Sequence, residues 1–112
     1  LHRRIPRSIA MEFALTGDFV GAQRMAELGL VNAVTPGGGA LEGARALAAR
    51  IAENAPMAVQ VSKEVMTASD DWSTEEMWTR QDAITGPVFV SHDAMEGAAA
   101  FAEKRKPNWK GE

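Results

Sequence analysis

SHDAMEGAAAFAEKRKPNWKGE, residues 91–112, decides how this chain is read. Ser91 is a typical helix N-cap, because its side-chain oxygen can accept from a free backbone N–H of the first turn. Ala94, Met95, Ala98, Phe101 and Ala102 then recur at helical spacing and define an apolar stripe. Pro107 closes the helix, since it has no N–H to offer the ladder. Beyond the stripe the chain turns basic: Lys104, Arg105, Lys106 and Lys110 fall within residues 104–112 of a chain whose formal net charge is -3. Two readings fit this tail. Its cations offset the negative end of a helix by ~0.3–1 kcal/mol, or they bind an anion.

The same periodicity extends upstream. Ile5, Ile9 and Phe13 share a face of a helix over residues 5–15, with Pro6 in its first turn and Gly17 as its stop. Ala22, Met25 and Ala26 predict a short helix that Gly21 caps and Gly29 ends. Residues 30–36, LVNAVTP, are β-prone and predict one short strand near 30–35, closed by a proline and three glycines. Leu41, Ala44, Ala48 and Ile51 predict a helix from about Ala40 to Glu53, closed by Asn54. Pro56 then opens another, with Ala58, Val61, Val65 and Ala68 inward and Lys63 and Glu64 outward. Ser73 and Glu76 match a capping box. The helix expected there carries Met77, Trp78, Gln81 and Ile84, with Trp78 as core, until Gly86 and Pro87 disturb it. The fold class is mostly α.

Composition narrows the function. The 112 residues are 46% hydrophobic and 24% charged, the balance of a globular domain, and such a chain can bury roughly two thirds of its unfolded surface. There is no cysteine, so disulfides, thiolate metal sites and cysteine nucleophiles are excluded together. No apolar run approaches the ~20 residues of a membrane span, and the start LHRRIPRS has no apolar signal core, which predicts a cytoplasmic protein. The first residue is Leu1, and the helical pattern begins almost at once, so a fragment of a longer polypeptide is expected.

Candidate chemistry is sparse. Ser91 and His92 are adjacent, and neighbours on a helix do not face each other, so a cap is a better reading than a nucleophile and its base. Asp70 with Asp71, and Glu75 with Glu76, sit where a helix N-terminus favours acids. Gly37 to Gly39 lack the pattern of a phosphate loop. Trp72, Trp78 and Trp109 are irregularly spaced, and the net charge is wrong for nucleic acid. His2 has no partner in the pattern. The clusters Arg3, Arg4, Arg7 and the tail are the basic features that survive.

Three blocks together resemble the C-terminal part of the crotonase family, the enoyl-CoA hydratases and isomerases. AMEFALTGDFVGAQRMAELGLVNAVTP, residues 10–36, is similar to that family's helix, LTG turn, A-x-x-x-GLV and following strand. LEGARALAARIAENAPMAVQVSKEVM, residues 41–66, resembles its long helix, N-x-P break and next helix. Residues 91–112 resemble its closing S-x-D-x-x-EG-x-x-AF-x-EKR-x-P-x-W-x-G. The blocks cover almost the entire chain in the family's order.

The resemblance implies a β-β-α spiral fold of which this chain is the C-terminal helical half. Residues 1–36 would end the spiral core, and residues 37–112 would form an oligomerisation and CoA-contact region. It implies an acyl-CoA substrate, a coenzyme A thioester, with no tightly bound cofactor, in a pathway such as fatty acid metabolism. It also implies a homo-oligomer, a trimer or dimer of trimers. The oxyanion-hole N–H groups and catalytic carboxylates belong to the N-terminal half, so no catalytic residue is assigned in this chain, and alone it is expected to be inactive. Lys104 matches the family lysine that meets the phosphate end of CoA, and Phe101 the motif's packing phenylalanine. The chain departs from the pattern at Val20 and Gly21, in place of Ser or Asp, and at Thr85 or Gly86, in place of an aromatic that leans on adenine; Phe89 is the substitute. Two alternatives remain open: a non-catalytic helical self-association module, and an inactive fragment that only binds CoA.

Overall fold

The computed structural model describes residues 3–112. Leu1, and with it His2, lies outside the described residues. The order of elements is α1 (Arg7–Thr16), α2 (Ala22–Glu27), α3 (Ala40–Ala52), α4 (Pro56–Ala68), a 3-10 turn (Ser69–Asp71), α5 (Met77–Phe89) and α6 (His92–Glu103). Two compact units divide the chain, Leu1–Leu47 and Ala48–Glu112.

In the first unit the helix ends follow the glycines. Gly17 adopts φ 69 and returns its N–H to the Phe13 carbonyl. Gly29 adopts φ 74, and the Leu30 N–H reaches back to Met25 at 2.9 Å, the six-to-one bond that satisfies a late helical carbonyl. Ala10 is buried and Ile9 and Phe13 are half-buried on α1. Ile5 is buried too, but it precedes the helix, which starts at Arg7 with Pro6 as its cap residue and not in its first turn. A residue before proline is steered out of helical backbone.

The strand expected near residues 30–35 does not form. Among the described residues no strand exists, so the 30–36 backbone has no ladder to join, and the Leu30 N–H is already used to close α2. Val31 and Val34 are exposed.

In the second unit α4 packs against the 3-10 turn and α5, and α5 against α6. Asn54 ends α3 by donating from its amide to the Arg50 and Ile51 carbonyls at 3.0 and 3.2 Å, and Pro56 opens α4. Ala58, Val61, Val65 and Ala68 are half-buried on α4, while Lys63 and Glu64 are exposed.

Helix α5 corrects the expectation three times. It starts at Met77 with Glu76 as its cap residue; Ser73 forms only a preceding turn, accepting from the Glu76 N–H at 3.3 Å and donating to the Glu76 carboxylate at 2.9 Å. It continues through Pro87 to Phe89. Gly86 offers no Cβ to clash with the proline ring, and the carbonyl left without a donor belongs to exposed Ala83, where water can satisfy it. Finally, Trp78 is 63% exposed and not core. The half-buried face is Met77, Gln81, Ile84, Thr85 and Val88, and Trp78 lies one residue round from it.

Left-handed backbone costs a residue with a Cβ roughly 1–2 kcal/mol. Gly29→Ala should therefore lower stability by about 1–2 kcal/mol in urea denaturation of the protein, although nothing lies within 4 Å of the added methyl. An unchanged midpoint would show that α2 does not need this turn.

Candidate functional site

The site is built from α6 and the chain that leaves it. Ser91 caps the helix as expected: its Oγ accepts from the Ala94 N–H at 3.0 Å and donates to the Val88 carbonyl at 2.7 Å. Both capacities of the hydroxyl are thus used in structure, and His92 is an exposed first-turn residue. The Asp93 N–H is satisfied by the Glu112 carbonyl at 3.0 Å.

The inward side of α6 carries two carboxylates beside the small residues Gly97 and Ala100. Asp93 is 2% exposed, and its two carboxylate oxygens accept from the backbone N–H groups of Lys110 at 2.7 Å and Gly111 at 2.8 Å. A buried carboxylate is tolerable because these charge-assisted bonds, and the positive end of the helix, replace its water. One turn on, Glu96 accepts from both terminal nitrogens of Arg105 at 2.6 and 3.0 Å and from the Asn108 N–H at 2.7 Å. Asp93 and Glu96 together hold residues 105–111 along the helix as a strap.

Trp109 fastens the strap from its other side. Its indole N–H donates to the Glu53 carbonyl at 2.7 Å, and its ring lies over Gly97, where an added Cβ would meet it at 3.2 Å. The sequence pattern marked Lys110 only as one of the tail's cations and gave Trp109 no stacking role; the Lys110 backbone N–H and the Trp109 indole both serve this attachment.

Arg105 is likewise more than a solvated helix-end cation. Beyond Glu96 it binds Glu103 at 2.5 Å and the Lys106 carbonyl at 3.2 Å. The Glu96 side chain is 14% exposed and that of Arg105 40%, so the pair is partly shielded from water. The Arg105 guanidinium and then the Asn108 N–H hold the Glu96 carboxyl down from 4.5 to about 2. Glu96 in turn raises Arg105 well above its ordinary value, with Glu103 adding to it.

Lys104 sits where helix becomes strap. It has φ 54, and among the described residues it alone has a positive φ without being glycine. Its N–H reaches the Ala100 and Phe101 carbonyls, and the Arg105 N–H reaches Ala100 at 3.0 Å. The backbone is tied on both sides, while the ammonium is exposed and, among the described residues, makes no hydrogen bond or ion pair. Phe101 is 88% exposed, and Phe89 is exposed as well.

The remaining candidates stay apart. Glu76 is taken by Ser73 and Arg80, whose hydrogen bonds lower its pKa. Asp70 and Asp71 lie in the 3-10 turn. Among the described residues no three of His, Asp and Glu gather as metal ligands, and no helix is long and apolar enough to cross a membrane. A free ammonium on a fixed turn can attract an anion; it cannot by itself add or remove atoms.

Superposition on solved structures identifies the chain as the C-terminal helical portion of a crotonase-type fold. An enoyl-CoA hydratase from Mycobacterium tuberculosis superposes with a TM-score of 0.95 at 52% identity, over 100% of this chain and 44% of that one. Enoyl-CoA hydratase EchA1 from Mycobacterium marinum gives 0.96 at 49%, with the same coverage. The carnitinyl-CoA dehydratase of Proteus mirabilis is 39% identical over 99% of this chain and 44% of its own length. The chain belongs to the enoyl-CoA hydratase/isomerase family, whose model matches residues 1–112. It spans less than half the length of these relatives.

A carboxylate whose folded pKa is depressed contributes stability that is fully present above its ordinary pKa and is lost as pH falls through the folded value. The stability difference between the native protein and Glu96→Gln should therefore be full at pH 6 and close between pH 4.5 and about 2. The Glu96 carboxyl carbon, followed by NMR, should titrate near the lower value. Titration near 4.5 would mean that the clamp to Arg105 does not hold in solution.

Proposed function

We propose that this chain is the helical portion of a cytoplasmic acyl-CoA-processing enzyme, a hydratase or isomerase acting on coenzyme A thioesters without a tightly bound cofactor. In this reading, the oxyanion hole and catalytic carboxylates lie in polypeptide outside these 112 residues. The present chain contributes oligomer contacts, closure of the acyl pocket and, through Lys104, a contact to the phosphate end of CoA. Family membership and the coverage of the relatives support the first part.

The observation that carries the CoA contact is the left-handed backbone of Lys104. A non-glycine residue held there costs on the order of 1 kcal/mol that glycine would avoid, and such strain is characteristic of functional positions. Of the basic residues in the tail, Arg105 is engaged with carboxylates; Lys104, Lys106 and Lys110 keep their ammoniums free among the described residues, and of these Lys104 alone stands on a left-handed turn.

A second reading, a self-association module without catalysis, is favoured by the exposed apolar residues Leu41 and Ile51 on α3 and Met95 and Phe101 on α6. Turnover of a 2-enoyl thioester by the whole protein separates the two readings.

A charge-assisted contact to phosphate is worth about 1.5–3 kcal/mol, or roughly 10- to 150-fold, and the lower end suits an exposed lysine. With crotonyl-CoA as the probe, Lys104→Ala and Lys104→Gly in the whole enzyme should each raise KM about tenfold at little cost in kcat. The glycine variant should also be no less stable than the native protein. Unchanged KM in both variants would remove Lys104 from CoA binding.

A further inference from the structure

We propose that Glu96 is a positioning residue for Lys104: by gripping Arg105 and Asn108 it fixes the left-handed turn from which the Lys104 ammonium is presented. This inference rests on the reading of Lys104 as a phosphate contact and assigns the device that orients it.

Closure of the chain onto α6 requires such a device. Lys104 leaves α6 at a conformation that L-residues avoid, so something must hold it there. On the helix side the Lys104 N–H bonds to Ala100 and Phe101 and the Arg105 N–H to Ala100 at 3.0 Å, a Schellman closure that admits the left-handed residue but ties it only to the last turn of α6. On the strap side three bonds converge on one carboxylate: Arg105 donates twice, at 2.6 and 3.0 Å, and the Asn108 N–H once, at 2.7 Å. Residue 105 and residue 108 cannot both reach Glu96 if the chain continues as helix through 104, because the helical direction carries them onward along the axis. With Glu96 and the helix both fixed, the single residue between Glu103 and Arg105 must turn.

The polar surroundings agree with that role. Glu103 also holds Arg105, but it is the last residue of α6, two positions from Arg105, so its bond bridges the turn without tying the strap back to the body of the helix. Glu96 lies two helical turns earlier on the rigid part of α6, and it is the more covered partner of the pair. Asp93 performs the same act farther along, at Lys110 and Gly111, and so anchors the end of the strap and not the turn.

If the turn is populated only in part, apparent affinity falls by that fraction, without any change at the ammonium itself. Glu96→Gln keeps the side chain's length and one oxygen but loses the charge and the two-oxygen grip on Arg105. It should therefore weaken use of the phosphate while leaving chemistry at the acyl end untouched.

The test compares crotonyl-CoA with crotonyl-pantetheine, which lacks every phosphate, in the whole enzyme. Glu96→Gln should raise KM for the CoA ester about threefold to tenfold with kcat kept, and leave kcat/KM for the pantetheine ester unchanged. Added to Lys104→Ala, it should raise KM no further. Arg105→Gln, which opens the clamp from the other side, should repeat the pattern and guards against a variant that folds poorly. Equal losses with both esters, or losses that multiply with those of Lys104→Ala, would overturn the positioning role. So would an unchanged KM in Glu96→Gln and Arg105→Gln while Lys104→Ala alone is impaired, and in that case the phosphate contact itself would stand. An unimpaired Lys104→Ala would remove both.

Discussion

The buried carboxylate of Asp93 is the constraint on which the ordered end of this protein depends. It has given up water almost completely, and an uncompensated charge in that position would be costly. Compensation comes from the Lys110 and Gly111 N–H groups, seventeen and eighteen residues away, and from the first turn of its own helix. The benefit is mutual, since the tail's N–H groups have no sheet or helix to join. Once Asp93 fixes the far end, Glu96 can take Arg105 and Asn108, Trp109 can lie on Gly97 and reach Glu53, and Lys104 is left at the bend.

This arrangement inverts the usual use of an amphipathic helix. The apolar stripe of α6 is turned outward at Met95 and Phe101, whereas the intramolecular contacts are made by Asp93 and Glu96 together with the small residues Gly97 and Ala100. Helix α3 shows the same exposure at Leu41 and Ile51. Among the described residues the buried apolar side chains are Ile5, Ala10 and Ala100. Order in the second unit therefore rests on half-buried helix contacts and on polar closure more than on a filled core. The matched relatives are more than twice this length.

How much the sequence revealed depends on how local each determinant is. Gly17, Gly29, Asn54, Pro56 and Ser91 mark helix ends through bonds spanning a few residues, and each acts where the pattern placed it. The strand at 30–36 failed because strand formation needs a partner that β-propensity does not supply. Trp78 failed because it sits next to the inward face of α5, and the choice between the two positions is made by packing on α4 and α6. Asp93 and Glu96 were visible as S-x-D-x-x-EG, three residues apart on one helix face. Their partners are backbone N–H groups, which carry no side-chain signature, so the motif could be seen without its purpose. The family resemblance supplied Lys104, and the structure supplied its left-handed turn.

The central claim, that carboxylates of α6 hold the tail, is tested most directly by amide hydrogen exchange at Lys110, Gly111 and Asn108. In the native protein these N–H groups should exchange slowly, with protection close to that of α6 itself, and Asp93→Asn should release Lys110 and Gly111 first. Exchange of all three at the rate of an unstructured chain in the native protein would contradict that claim.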